Sequence, residues 1–170
     1  MRRTLILVLV LALTLAVVGT GVALAKGAGN STNALIYLYE KDPTNWEAVD
    51  DGAGGRLKYS TEGAEFAFHF NGHGLEPGSE YTLIYYPDPW PGDGLICFGS
   101  DDANRGGNVL IKGSYDVGGD LPIAADDNDG AKIWLVLSDD VDCEVDHKMI
   151  GWNPTEYLFE NNLITYDYTG

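Results

Sequence analysis

The segment YYPDPWPGDG brings together side chains that could bind a sugar. Its prolines hold the loop in shape at low entropic cost, which suits a preformed contact surface. Trp90 and Tyr86 could stack on sugar rings, while Asp88 and Asp93 accept hydroxyl hydrogens. Trp152, in the segment IGWNP, is a further aromatic candidate of the same character. These residues indicate a carbohydrate-binding surface built from loop aromatics.

The same tryptophans permit a second interpretation, which is the one that we expect to apply. Tryptophans in the loops of small β-proteins often fold back and close an open end of the hydrophobic core. Trp90 would then be a lid on the protein's own interior, and the segment would have no ligand. The two interpretations differ in the exposure that they predict for Trp90 and Trp152.

Enzyme motifs are not evident in the chain. It has no Gly-x-Ser-x-Gly nucleophile motif and no phosphate-binding glycine loop. Glycoside hydrolysis needs two carboxyl groups at a set distance, and among 26 acidic residues some pair always meets that condition. A hydrolase therefore remains an alternative for which the sequence names no site. We therefore expect a non-catalytic module with a structural or interaction role, and we keep the carbohydrate-binding module as the principal alternative.

One acidic loop has the residue types that bind calcium. The segment DDNDG offers Asp126, Asp127 and Asp129 as oxygen ligands. It does not match an EF-hand, because Ala125 occupies the first ligand position and Val136 the twelfth. We expect no cofactor, with calcium at these three aspartates as the alternative.

A second acidic segment, DVDCEVD, alternates between acidic residues and the less polar residues Val and Cys. As a strand it would place Val141, Cys143 and Val145 on one face and four acidic residues on the other. We expect a solvated edge strand, whose charges discourage pairing with another sheet.

The N-terminus is typical of an exported protein. Two arginines precede an apolar run over residues 5–18, and the ALA of residues 23–25 fits a signal-peptidase site. The sequence therefore predicts a signal peptide over residues 1–25. An uncleaved membrane anchor is the alternative, because residues 4–25 are just long enough to cross a bilayer. In both cases the rest of the chain folds outside the cytoplasm, secreted or tethered to the surface.

The mature chain is strongly acidic. Cleavage removes two of the ten Lys and Arg residues and leaves eight against 26 Asp and Glu, a net charge of −18. This charge argues against partners that are nucleic acids or anionic membranes, since both are polyanions. A cell-surface glycan or protein fits better.

Cys97 and Cys143 are the two cysteines, and in an oxidising compartment they predict one disulfide.

After residue 33 the apolar residues alternate with a period of two. Phe66, Phe68 and Phe70 fall on one face of a predicted strand, and AKIWLVLS at 131–138 is apolar on both faces, as in a central strand. Clusters of Gly, Asp, Asn and Pro separate these runs. The pattern predicts one all-β domain over residues 34–170, an antiparallel sandwich of seven to nine strands. We expect residues 26–33 to form a flexible polar leader, and Asn30 lies in an N-glycosylation sequon.

Two short motifs resemble those of known β-sandwich modules. GLEPGSEY at residues 74–81 resembles the corner of fibronectin type III and related immunoglobulin-like modules, where a leucine packs inward and a tyrosine hydrogen-bonds back to the backbone. The resemblance assigns these roles to Leu75 and Tyr81.

DANRGGNV, at residues 102–109, is similar to the Asp-Ala-Asn-Gly-Asn-Val hairpins of secreted prokaryotic surface modules, with two extra residues before Gly107. The resemblance implies an immunoglobulin-like sandwich and no particular activity, because that scaffold supports unrelated functions.

Overall fold

The structure, a computed structural model, describes residues 32–170. The predicted signal peptide, residues 26–31 of the predicted leader and the sequon residue Asn30 lie outside this range. Within residues 32–170, no helix has the length and the apolar character that a membrane crossing requires.

The described chain is all-β, as the sequence predicts. Its strands are β1 (Asn33–Tyr39), β2 (Gly54–Ser60), β3 (Glu62–Gly63), β4 (Phe66–His73), β5 (Glu80–Tyr86), β6 (Ile96–Asp102), β7 (Val109–Tyr115), β8 (Lys132–Leu137), β9 (Val141–Asp142), β10 (Lys148–Met149), β11 (Leu158–Glu160) and β12 (Asp167–Tyr168). Two single-turn 3₁₀ helices cover Ser138–Asp140 and Pro154–Glu156. Eight strands form one antiparallel sheet in the order β6-β5-β8-β11-β1-β2-β4-β7, and β9–β10 and β3–β12 form two short pairs.

The alternation of apolar residues decides which face of the sheet is buried. In β4, Phe66, Phe68 and Phe70 are buried while Ala67 and His69 are exposed. The neighbouring strands follow the same alternation, so each of them contributes one apolar face to a common core. The prediction that three phenylalanines share an inward face is therefore confirmed.

The two end strands of the sheet, β6 and β7, approach each other. The rings of Phe98 on β6 and Tyr115 on β7 have centroids 6.0 Å apart, and Phe98 also packs at 4.7 Å on Phe66 of β4. The inward side chains thus pack into one apolar core from both halves of the sheet. Because the hydrogen bonds join all eight strands into a single sheet, the two-sheet arrangement of an immunoglobulin-like sandwich stays a prediction.

A second apolar cluster lies on the outer face of β5, β8 and β11. Ile133 and Leu135 of β8 belong to the inner core, whereas Trp134 and Val136 belong to the outer cluster. This confirms the expected central strand that is covered on both faces. The connections between the strands of the large sheet, which include the short β9–β10 pair, cover the outer cluster with the side chains of Leu95, Val141, Met149 and Tyr157.

The predicted disulfide joins Cys97 to Cys143, with Cα atoms 5.8 Å apart. It ties β6 to the segment that follows β9. Closing a loop of 46 residues stabilises the fold by about 4 kcal/mol in the chain-entropy model. The disulfide therefore anchors one of the loops that cover the outer cluster.

The corner between β4 and β5 joins strands from opposite halves of the sheet. Leu75 is buried in the inner core, and Gly78 has a φ of +85°, which glycine tolerates in a tight turn. The Glu76 N–H donates a 3.2 Å hydrogen bond to the Tyr81 hydroxyl oxygen. Leu75 thus packs inward and Tyr81 bonds to the backbone of this turn, while the relationship to fibronectin type III modules stays a prediction.

The structure corrects the expected strand in the acidic segment DVDCEVD. Only Val141 and Asp142 form a strand, and Val145, expected on the inner face, is 78 % exposed. The Asp142 carboxylate accepts the N–H groups of Glu144 and Val145 at 3.0 and 2.9 Å. This side-chain turn replaces the sheet hydrogen bonds that a continuing strand would need.

Candidate ligand-binding cleft

All four tryptophans of the chain line one cleft on the outer face of the sheet. The cleft has a volume of about 500 Å³. Its lining residues are Lys41, Trp46, Tyr86, Asp88, Trp90, Lys132, Trp134, Trp152, Phe159 and Glu160. The tryptophans come from four separate parts of the sequence, so the fold alone brings them together.

The strands β5, β8 and β11 provide the rigid base of the cleft. Trp134 of β8 and Phe159 of β11 are cross-strand partners, and their ring centroids lie 5.1 Å apart at an angle of 76°. The Tyr86 ring of β5 stacks on Trp134 at 4.0 Å and 11°. Tyr86 is itself buried, so it supports Trp134 more than it offers a free face. Burial, followed by the nearby Asp88 charge, raises the pKa of the Tyr86 hydroxyl to about 12.

Trp46 reaches the cleft from the turn after β1. The Thr44 N–H donates to the Asp42 carboxylate at 2.8 Å, and the Trp46 N–H donates to the Asp42 carbonyl at 2.7 Å. Trp46 has a φ of +60°, a left-handed conformation that costs a bulky residue about 1 kcal/mol or more. Its ring packs edge-on against Phe159 at 5.3 Å. The turn thus holds an exposed indole in a strained conformation over the sheet.

Trp90 lies on the proline-rich loop after β5. Asp88 anchors this loop through a salt bridge to Lys132 and a 2.9 Å hydrogen bond from the Asn128 side chain. On the other side of Trp90, the Pro91 carbonyl accepts the Met149 N–H at 2.9 Å. The peptide bonds before Pro89 and Pro91 are cis. Trp90 remains 52 % exposed, so it does not act as a closed lid on the core.

Trp152 is held by a buried polar network. The Asp140 carboxylate accepts hydrogen bonds from the Tyr157 hydroxyl at 2.6 Å and from the Asn153 side chain at 2.8 Å. A Cβ atom on Gly151 would collide with the Asp140 side chain, so glycine is required beside Trp152. Burial, and then the hydrogen bond to Asp140, raises the pKa of Tyr157. The network fixes the backbone on both sides of an indole that is 42 % exposed.

The exposed indoles face one another at steep angles. Trp90 and Trp152 have centroids 5.5 Å apart at 78°, and Trp46 and Trp152 lie 6.2 Å apart at 43°. The rings therefore pack against one another with their planes inclined and do not form one flat platform.

The charged groups of the cleft differ in their environments. Burial raises the pKa of Asp88, but the hydrogen bonds from Lys132 and Asn128 outweigh that effect and lower it. Burial raises the pKa of Glu160 to about 7, against the lowering effects of its own backbone N–H, the Lys41 and Lys132 charges and a hydrogen bond from the Trp134 side chain. The Lys41 ammonium donates to the Glu160 carbonyl oxygen at 3.1 Å. The cleft therefore combines aromatic walls with one carboxyl group in a salt bridge and one, that of Glu160, whose buried Oε2 atom has no hydrogen-bond partner.

The structure brings together four of the residues that the sequence singles out, Tyr86, Asp88, Trp90 and Trp152. Asp93 is exposed and does not line the cleft. Sequence reasoning missed Trp46, Trp134, Phe159 and Glu160. The sequence pattern predicts only that Trp134 lies in a central strand, and it carries no local signal that links these four residues to one another.

The predicted calcium loop has a different organisation. Asp126 accepts the Tyr85 hydroxyl at 2.7 Å and the Asn128 side chain at 2.6 Å, so it links the loop to β5. Asp127 and Asp129 are exposed. Within residues 32–170, no group of three or more His, Cys, Asp or Glu residues is placed to hold a metal ion. Calcium binding by this loop stays an untested alternative to the expectation of no cofactor.

Comparison with known proteins finds no matching family, no matching curated sequence and no matching solved structure for this chain.

Proposed function

We propose that this chain is an extracytoplasmic, non-catalytic module that binds a neutral saccharide in the tryptophan cleft. The observation that carries the proposal is the convergence of all four tryptophans on one cleft, where Trp46, Trp90 and Trp152 remain exposed. Exposed apolar side chains that cluster in this way mark an interaction site, because burying them inside the protein would otherwise be favourable.

The chemistry of the cleft suits a sugar. A sugar ring has apolar C–H faces, which pack on indoles, and a rim of hydroxyl groups, which need polar partners. The cleft offers both, with aromatic walls and the polar side chains of Lys41, Asp88, Lys132 and Glu160. Its volume lies within the range of small-molecule sites.

The ring geometry favours a short saccharide or a chain end. A flat polysaccharide surface would be matched by coplanar aromatic rings. Here the Trp90 and Trp152 planes meet at 78°, so they contact a ligand from two directions. We therefore expect the cleft to hold one or a few sugar rings.

The charge balance favours a neutral ligand over a cationic one. Aromatic cages also bind quaternary ammonium groups, and those sites use uncompensated negative charge. In this cleft Asp88 is paired with Lys132, and Lys41 adds a positive charge close to Glu160. The cleft therefore has no excess of negative charge for a cation.

Export and the immunoglobulin-like form are parts of the same proposal. The leader pattern of residues 1–25 supports export, and the Cys97–Cys143 disulfide is compatible with an oxidising compartment. The buried Leu75 and the Tyr81 hydrogen bond at the β4–β5 corner support a relationship in form to fibronectin type III modules. Whether export occurs is checked by N-terminal sequencing of the mature protein, which we expect to begin at Lys26.

A glycoside hydrolase is the second candidate. Asp88 and Glu160 line the same cleft, and their pKa values move in opposite directions, as those of an acid and a base do. However, Asp88 is already engaged by Lys132 and Asn128, which makes it a poor base or nucleophile. Release of reducing ends from cellohexaose, with loss of that activity in Asp88→Asn, would establish hydrolysis and overturn the non-catalytic proposal.

The binding proposal is tested by calorimetric titration with four neutral hexasaccharides: cellohexaose, xylohexaose, mannohexaose and chitohexaose. We expect at least one to bind, and Trp90→Ala to weaken its binding by about tenfold or more, as for a contact in the centre of an interface. Tyr37→Ala is the matched control, because Tyr37 is 42 % exposed on β1 and lies outside the cleft. Failure of all four sugars to bind, or equal losses in both variants, would refute the proposal.

A further inference from the structure

Glu160 is the least well compensated polar group of the described chain. The residue is only 9 % exposed, and its Oε2 atom is the single buried side-chain nitrogen or oxygen within residues 32–170 that has no hydrogen-bond partner. An unpaired buried polar atom costs about 1–3 kcal/mol, more when it is charged. Because Glu160 lines the tryptophan cleft, a ligand in the cleft could supply the missing partner.

The charged groups around Glu160 do not satisfy its carboxylate. The Lys41 ammonium bonds to the Glu160 backbone carbonyl, and the Lys132 ammonium forms the salt bridge with Asp88. Within residues 32–170 neither ammonium group forms a salt bridge with the Glu160 carboxylate, although both positive charges lower its pKa. The Glu160 backbone N–H and the Trp134 side chain also act on the carboxyl group as hydrogen-bond partners, but Oε2 still has no partner.

We propose that a hydroxyl group of the bound saccharide donates a hydrogen bond to the Glu160 carboxylate, so that binding is coupled to release of a proton from Glu160. This inference rests on the proposed function. The hydroxyl keeps its own hydrogen, and the proton that leaves the carboxylic acid passes to solvent. A hydrogen bond to an ionised acceptor is about twice as strong as one to a neutral acceptor, so the complex favours the carboxylate.

This coupling makes the affinity depend on pH in a defined direction. In the free protein burial holds the pKa of Glu160 at about 7, so the carboxylic acid predominates below that pH. Below pH 7 binding must displace the proton, and the affinity falls. Above pH 7 the carboxylate is already present, and the affinity reaches a plateau. We expect binding about tenfold tighter at pH 8 than at pH 6.

The experiment is calorimetry with whichever of the four named hexasaccharides binds, at pH 6 and pH 8. Each pH is measured in two buffers that differ in ionisation enthalpy, which gives the number of protons released. Wild type should release close to one proton at pH 6 and almost none at pH 8. Glu160→Gln should lose both the proton release and the pH dependence. Glu144→Gln, which removes an exposed glutamate outside the cleft, should behave as wild type.

The possible failures are distinguishable. Binding of equal strength at both pH values, or pH dependence that persists in Glu160→Gln, overturns the coupling and leaves the binding proposal standing. If no hexasaccharide binds at either pH, the proposed function fails and the coupling fails with it. If Glu160→Gln does not fold, a ¹³C NMR titration of the wild-type Glu160 carboxyl decides: its pKa should fall to about 5 or below in the complex, and an unchanged pKa overturns the inference.

Discussion

The Tyr157 hydroxyl donates a 2.6 Å hydrogen bond to Oδ2 of the buried Asp140, which also accepts the Asn153 side chain at 2.8 Å. The backbone carbonyl of Asp140 accepts the N–H groups of Ile150 and Gly151 at 2.8 and 3.1 Å. One aspartate thus organises the loop on both sides of Trp152. The position of that indole in the cleft therefore depends on a polar network beneath it.

We predict that Asp140→Asn lowers the free energy of unfolding by about 2–3 kcal/mol, since it weakens two hydrogen bonds to a buried charged acceptor. Urea unfolding measures this change. The neighbouring Asp139→Asn is the control, because Asp139 is exposed, and it should change stability by less than about 0.5 kcal/mol. Equal effects of the two variants would show that the network does not stabilise the loop.

Substitution by alanine should distinguish a buried tryptophan, which stabilises the fold, from an exposed tryptophan, which binds the ligand. Trp134 is buried between Tyr86 and Phe159, so Trp134→Ala should cost about 3–5 kcal/mol of stability. Trp90 is half exposed, so Trp90→Ala should cost about 1 kcal/mol while it removes ligand affinity. Thermal and urea unfolding of both variants provide the comparison. A large loss of stability in Trp90→Ala would instead support the interpretation of Trp90 as a structural lid.

Glu160 should impose a pH dependence on stability even without a ligand. Its pKa is raised from 4.5 in the unfolded chain to about 7 in the folded protein, so the folded state favours the protonated form. The corresponding stability is fully present below pH 4.5 and is lost as the pH rises through 7, by about 3 kcal/mol in total. Because other acids contribute their own trends, the measurement is the difference between wild type and Glu160→Gln in urea unfolding from pH 4 to pH 8. Parallel profiles would show that Glu160 titrates normally.

Removal of the disulfide should destabilise the fold without changing its architecture. The double variant Cys97→Ser with Cys143→Ser should lose about 4 kcal/mol in urea unfolding. Wild type treated with a reducing agent should match this loss, and the double variant should not respond to the reducing agent. The far-ultraviolet circular dichroism of the folded variant should remain that of a β-protein. A loss below about 1 kcal/mol would mean that the loop is held mainly by its other contacts.

Sequence reasoning succeeded where local pattern determines structure. The alternation around Phe66, Phe68 and Phe70 predicted the inner face of β4, and the apolar run at 131–138 predicted a strand that is covered on both sides. It failed in DVDCEVD, where the Asp142 side chain captures the N–H groups that a strand would use. In that segment a local hydrogen bond competes with the sheet, and the period of two does not reveal which of them forms.

The cleft could be predicted only in part, because it depends on strand register. Trp134 and Phe159 are 25 positions apart in the sequence, yet they are cross-strand partners. β11, which carries Phe159 and Glu160, has only three residues and gives no recognisable alternation. The proline-rich loop identified Trp90 from local sequence, whereas the convergence of Trp46, Trp134 and Trp152 follows from long-range pairing.

The most direct measurement is a ¹H–¹⁵N NMR titration of the protein with the four neutral hexasaccharides, following the indole N–H signals of the four tryptophans. The account predicts saturable shifts for Trp46, Trp90 and Trp152 with at least one sugar, while the backbone amides of β2 and β4 on the far half of the sheet stay unchanged. Indole signals that do not move with any of the four sugars, in a folded protein, would contradict it.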